Sequence, residues 1–273
     1  MMTRRFFNQL AFAAATVNSK IGGVMVGSQS YSFRDMPFDG MLAGMNAVGL
    51  TYLELWQGHW EPKGKEEEFR THPDFDLIRG LRKKADAAGI DVYAVNISMR
   101  DSWTDEQIEK AFQTALAFNV RRITSSSNIN TIPRIYPFCQ RYKIPVAVHN
   151  HDSMKANEFS TPEDIAKARQ GREDWIKINL DIGHFTSANQ DPLPFLQQHH
   201  ADIMTLHLKD SLPNHGGMMP FGQGKAKVKE VLQLMKTKRY AIPAMIEYEY
   251  GKPGTDTVAE MRTCFAYVKQ CLA

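Results

Sequence analysis

Apolar runs rich in β-branched residues alternate with amphipathic stretches along the chain. The pairs recur every 25 to 35 residues or so, about the size of a βα unit. Eight runs read as strands: 24–32 (VMVGSQSYS), 51–56 (TYLELW), 91–98 (DVYAVNIS), 121–126 (RRITSS), 145–150 (PVAVHN), 176–181 (IKINLD), 203–208 (IMTLHL) and 242–249 (IPAMIEYE). The segments between them place apolar residues at helical spacing. PDFDLIRGLRKKADAAG closes on a glycine suited to a helix C-terminus, and TDEQIEKAFQTALAFN opens on a threonine and an acidic first turn. STPEDIAKARQ opens on Ser160 or Thr161 ahead of Pro162. Eight strand–helix pairs predict an α/β protein of one domain, a closed (β/α)8 TIM barrel over residues 22–273. The other architecture with this alternation, an open doubly wound sheet, usually carries a glycine-rich phosphate loop after its first strand, and GSQSYSF is not one.

Residues 1–21 stand apart. Arg4-Arg5-Phe6-Phe7 followed by an alanine-rich apolar stretch resembles a twin-arginine export signal, and the plain alternative is an amphipathic helix across the bottom of the barrel. The first reading places the protein outside the cytoplasm and the second inside it. No stretch approaches the run of about 20 apolar residues that a membrane helix needs.

Composition narrows the partners. A hydrophobic share of 43% with 23% charged residues is that of an ordinary globular chain, and a net charge of +3 with scattered Lys and Arg gives no nucleic-acid footprint. Cys139, Cys264 and Cys271 sit in apolar helical contexts and read as buried thiols. A small molecule is the expected ligand. Barrels often dimerise, so a homodimer is carried as a prior.

Active sites of such barrels lie at the C-terminal ends of the strands, so the residues ending each apolar run are the candidates. The fifth run ends in His149-Asn150-His151, the sixth in Asp181 with His184 after it, the seventh in His207 with Lys209 after it, and the eighth in Glu247. Strand alternation lets His149, Asp181, His207 and Glu247 enter one barrel mouth. Two imidazoles and two carboxylates suit one divalent ion of the Mn, Zn, Co or Fe type. Burying four such groups is costly unless they are paired or coordinated, which favours a shared site over four separate roles.

LDIGHF at 180–185, LHLKD at 206–210, PFGQGKAKVKEVLQLMK at 220–236 and AMIEYE at 244–249 resemble the xylose isomerase-like TIM-barrel superfamily in its sugar phosphate isomerase/epimerase branch. The resemblance implies a metal held at the positions of His149, Asp181, His207 and Glu247. It also implies isomerase or epimerase chemistry on a sugar or keto-sugar, by proton transfer next to a metal-polarised oxygen. Glu247, His149 and His184 would carry the proton transfers and charge. Glu54, Trp56, Trp103, His151 and Lys209 would shape the carbohydrate pocket, with Glu54 and Lys209 as a candidate ion pair.

The departure lies at the first ligand, where the family pattern Glu-Asn-His reads His149-Asn150-His151. One of the two metal-bound glutamates that exchange the epimerase proton is therefore missing. Two further readings stay open: a lyase eliminating the aglycone of a 3-keto-glycoside, for which one base and an electrophilic metal suffice, and a non-catalytic carbohydrate-binding barrel. The segment 211–224, with Gly216-Gly217 and Gly222, reads as a lid.

Overall fold

The computed structural model describes residues 18–252 and 254–273. Its eight parallel strands are β1 Val24–Gln29, β2 Tyr52–Trp56, β3 Asp91–Asn96, β4 Ile123–Ser125, β5 Val146–His149, β6 Ile176–Asp181, β7 Ile203–Leu208 and β8 Ala244–Ile246. Each pairs with the next, and β8 returns to pair with β1, so the sheet is a closed barrel. Helices return the chain between strands: α1 Phe38–Val48, α2 Glu66–Thr71, α3 Phe75–Ala87, α4 Asp105–Ala117, α5 Ile132–Tyr142, α6 Pro162–Arg169, α7 Ile182–Ser187, α8 Pro192–His199, α9 Val228–Lys238 and α10 Thr257–Leu272.

Helix entries follow the chemistry of their caps. Asp74 accepts from the amides of Asp76 and Leu77 at the start of α3. Thr104 forms a capping box with Gln107, and Thr161 forms one with Asp164, which decides between Ser160 and Thr161 at the head of α6. The largest departures from the predicted runs are at the ends of β1 and β8. The Gln29 side chain accepts from the amide of Tyr31 at 2.9 Å and turns the chain into a short 3-10 segment over Ser30–Phe33. After β8, the amide of Glu247 still bonds to the Leu208 carbonyl, but that of Tyr248 bonds to Ser32 Oγ.

The apolar core lies between barrel and helices, where Leu53, Ile178, Leu206 and Ile246 meet Ile78, Phe112, Val231 and Phe265. The barrel interior is different. Glu54, Thr124, Asn179 and Thr205 are fully buried there, forming a polar floor under the mouth.

Residues 18–21, grouped with the N-terminal segment by the sequence, belong to the bottom of the barrel. Lys20–Ile21 pairs antiparallel with Val24–Met25, and Ser19 Oγ donates to the Val26 carbonyl at 2.6 Å. The twin-arginine motif lies outside the described residues. Among the described residues no helix is long and apolar enough to cross a membrane.

Candidate active site

Parallel register sets the site. Asp181 on β6 pairs with His207 on β7, and His149 on β5 pairs with Asn179 on β6, so the ends of three neighbouring strands stand side by side. Where β5 ends, the Asn150 carboxamide continues the ladder with both of its atoms. Its Oδ1 accepts from the Asp181 amide at 2.9 Å, and its Nδ2 donates to the Asp181 carbonyl at 3.0 Å. Asp181 Oδ1 caps α7 by accepting from the His184 amide at 2.8 Å, which leaves Oδ2 directed into the mouth.

One donor atom each from His149, Asp181, His207 and Glu247 lies within 4.8 Å of the other three. His149 Nδ1, Asp181 Oδ2, His207 Nδ1 and Glu247 Oε2 are all buried; His149 Nδ1 has no partner, while His207 Nδ1 lies 2.9 Å from Glu247 Oε2. Two ring nitrogens and two carboxylate oxygens turned toward one buried point, one of the nitrogens without any protein partner, are what a cation site requires. The donor set of two imidazole nitrogens and two carboxylate oxygens, with no sulfur, fits a Zn-, Mn-, Co- or Fe-type ion. His207 Nε2 meets Glu54 Oε1 at 2.9 Å, and Thr124 and Asn179 donate to the same oxygen at 2.6 and 3.2 Å. Glu54 thereby fixes the ring so that Nδ1 faces the donor cluster.

Lys209, fully enclosed, is the charged neighbour of this cluster. Its Nζ donates to Glu249 Oε2 at 2.7 Å and lies 3.1 Å from both Asp181 Oδ2 and Glu247 Oε2. Burial alone would favour the neutral amine, but Asp181, Glu247 and Glu249 hold its pKa well above the lysine value. Burial likewise opposes an ionised Glu247, yet Lys209 and His207 hold its carboxyl well below the usual range. Burial, then the charges of His151 and His207, push His149 well below the ordinary histidine pKa, which leaves it neutral and suited to ligation. Burial, then His184 and Lys209, push His151 down to about 3. His184 Nε2 lies 3.0 Å from Lys209 Nζ, and its Nδ1 lies 3.4 Å from Asp152 Oδ1. Gly183 makes this approach feasible, because a methyl group there would fall 2.7 Å from Lys209 Cβ.

A cavity of about 320 Å³ opens above these groups. His149, His151, His184, His207, Lys209, Glu247 and Glu249 line one side, and Gln29, Tyr31, Trp56, Asn96, Ser98, Arg100 and Ser126 the other. A model of the xylose isomerase-like TIM barrel family matches residues 42–267. The chain belongs to that family. Among curated relatives of this xylose isomerase-like barrel, L-ribulose-5-phosphate 3-epimerase UlaE of Escherichia coli is 26% identical over 133 residues, 49% of this chain and 46% of the relative. The chain thus matches about half the length of such relatives. A Parabacteroides distasonis structure is 25% identical, with a TM-score of 0.66 over 91% of this chain and 99% of that one. The IOLI protein with a bound zinc atom shares the fold at 14% identity, with a TM-score of 0.66 over 91% of this chain and 98% of that one.

The xylose isomerase-like barrel brings His149, His151, Asp181, His184, His207, Lys209, Glu247 and Trp56 to one mouth. Three expectations are corrected. Glu54 does not line the cavity; it sits a layer lower, against His207, and Lys209 pairs with Asp181, Glu247 and Glu249 instead. Trp103 faces away from the cavity, under the Arg70 guanidinium, because its amide closes a tight turn onto the Arg100 carbonyl. No residue of 211–224 is among those lining the cavity. That segment is a small hairpin pairing Asp210–Ser211 with Met218–Met219, tied down by the Asp210 carboxylate, which accepts from the amides of Ser211, Gly222, Gly224 and Ala226. Sequence reasoning passed over Asp152, Arg100 and Tyr31. Glu249, the last residue of the eighth predicted run, had no role in that reading.

Proposed function

We propose that this xylose isomerase-like barrel is a metal-dependent isomerase or epimerase of a sugar or keto-sugar. The observation that carries the reading is the convergence of four buried donor atoms, from the ends of four successive strands, beneath a polar cavity of sugar-like size. The epimerase relative supports the substrate class. His149, Asp181, His207 and Glu247 would hold the ion, which when bound supplies a Lewis acid for neighbouring substrate oxygens and acidifies the adjacent C–H.

The protein's own groups handle the proton. Glu247, kept ionised by Lys209 and His207, is the proton acceptor at the carbon beside the polarised oxygen. His184, oriented by Asp152, serves the opposite side of the cavity as acid or base, while Lys209 offers positive charge to a developing oxyanion. His151 and the polar groups of β3 receive the remaining hydroxyls.

One observation favours a second reading. With an imidazole at 149, Glu247 is the only glutamate in the donor set, and Glu249 is engaged by Lys209. A single carboxylate base suffices for elimination of the aglycone of a 3-keto-glycoside. Metal analysis of the wild type and of His149→Ala and Asp181→Asn tests the common ground: about one divalent ion per chain is expected, lost in both variants. Solvent-proton exchange into sugars and aglycone release from 3-keto-glycosides, assayed on the same samples, then separate isomerase from lyase. A wild type that takes up no Mn, Zn, Co or Fe when supplied ends both readings.

A further inference from the structure

The cavity has two unlike halves. The donor cluster and its charged neighbours come from β5 to β8, whereas Tyr31 and Trp56 stand at the ends of β1 and β2. In a ring of eight strands β2 lies opposite β6, so Trp56 faces the side that carries Asp181. The indole is held in one orientation. The Tyr31 ring meets it edge-on with centroids 4.9 Å apart, and the His59 ring does so at 5.8 Å. His59 is half-buried, with Nε2 3.0 Å from the Ser30 carbonyl, and the Trp56 amide donates to Ser30 Oγ at 2.8 Å. Gly58 passes beneath the ring, where any Cβ would collide with the six-membered part of the indole. A large flat apolar surface, fixed before ligand arrives, binds a ring at little entropic cost.

The cavity, at about 320 Å³, has room for more than one pyranose ring, and Trp56 forms the wall across it from Asp181. A phosphate fits the cavity poorly. Arg100 is paired with Glu158 at 3.1 Å, Lys209 is surrounded by three carboxylates, and the amides of Gly222 and Gly224 already donate to Asp210. We propose that Trp56, braced by Tyr31 and His59, is a stacking platform for a second ring, so that the substrate is a glycoside and not a free sugar or sugar phosphate. This rests on the carbohydrate reading above and narrows it: one ring sits at the donor cluster and the other on the indole.

Calorimetric titration of the metal-loaded protein with methyl β-D-glucopyranoside, phenyl β-D-glucopyranoside, cellobiose and L-ribulose 5-phosphate, repeated in the galacto and manno series, tests the platform. In the series that binds, the two-ring ligands are expected to bind about tenfold more tightly than the methyl glycoside. Trp56→Ala and Gly58→Ala, one removing the ring and the other displacing it, should bring that ratio to near one at wild-type metal content, while Trp56→Phe keeps most of it. A wild-type ratio near one, a ratio unchanged in Trp56→Ala, or tighter binding of L-ribulose 5-phosphate than of any glycoside overturns the second-ring subsite. If a protein with its full metal content binds none of these sugars, the carbohydrate reading fails and takes the subsite with it.

Discussion

Glu54 shows how far a residue's neighbours can redirect its role. Read from the sequence it is a carboxylate at a strand end, fit for a sugar hydroxyl. In the barrel it is wholly enclosed and spends Oε1 on His207, Thr124 and Asn179. Glu54→Gln is expected to weaken divalent-metal affinity by about 10- to 100-fold, as read by competition with a chelator. An unchanged affinity would reduce Glu54 to packing. Asp152 plays the same part for His184. The hydrogen bond from His184 outweighs partial burial and holds the Asp152 carboxyl well below its usual range. Its folded-state pKa is depressed, so its contribution is complete above the ordinary Asp value of about 3.9 and is lost only as pH falls below it. Asp152→Asn should therefore cut turnover about tenfold or more at neutral pH, with metal content at the wild-type level. A parallel loss of metal would place the defect in the fold instead. The meeting of His149, Asp181, His207 and Glu247 was legible because strand alternation and strand ends fix it. Glu54 and Asp152 were not, because one depends on the stagger of the barrel and the other on the path of a loop.

At the scale of elements, the His-x-Lys-Asp motif splits its work between two places. His207 and Lys209 face the site, while Asp210 gathers four backbone amides of the following hairpin. Removing that acceptor strands the enclosed N–H groups of Ser211 and Ala226 and the more open ones of Gly222 and Gly224, so Asp210→Ala is expected to lower unfolding free energy by about 3 kcal/mol. Thr104→Ala deletes a single cap and should cost about 1 kcal/mol. Denaturant midpoints of the two variants, compared at equal slope, check the order, and equal losses would contradict the cradle. The helix starts at Thr104 and at Ser160 or Thr161 were readable because their signals are local. The early ends of β1 and β8 were not, since Gln29 bonds to its own neighbour and Tyr248 bonds to Ser32, more than two hundred positions away in sequence.

For the molecule as a whole, the eight-fold repeat was legible because each strand is buried on its outer face and each helix shows one apolar stripe. The polar barrel floor was not, since Thr124, Asn179 and Thr205 look unremarkable one at a time. The three thiols belong to the apolar layer. Burial pushes Cys139 up to about 12 and Cys264 to about 11, and it also raises Cys271. Native protein at pH 8 is expected to react with a thiol reagent at none of the three within minutes, and unfolded protein at all three. Fast native labelling of Cys139 would show that the shell opens. The last consequence concerns Asn150. Because its carboxamide holds both sides of the Asp181 peptide, the anchor of the sixth strand does not pass through the side chain at 149. A ligand can therefore be exchanged at 149, carboxylate for imidazole, without moving its neighbours. Such a joint lets a lineage try new chemistry by a single codon while the rest of the centre stays in place.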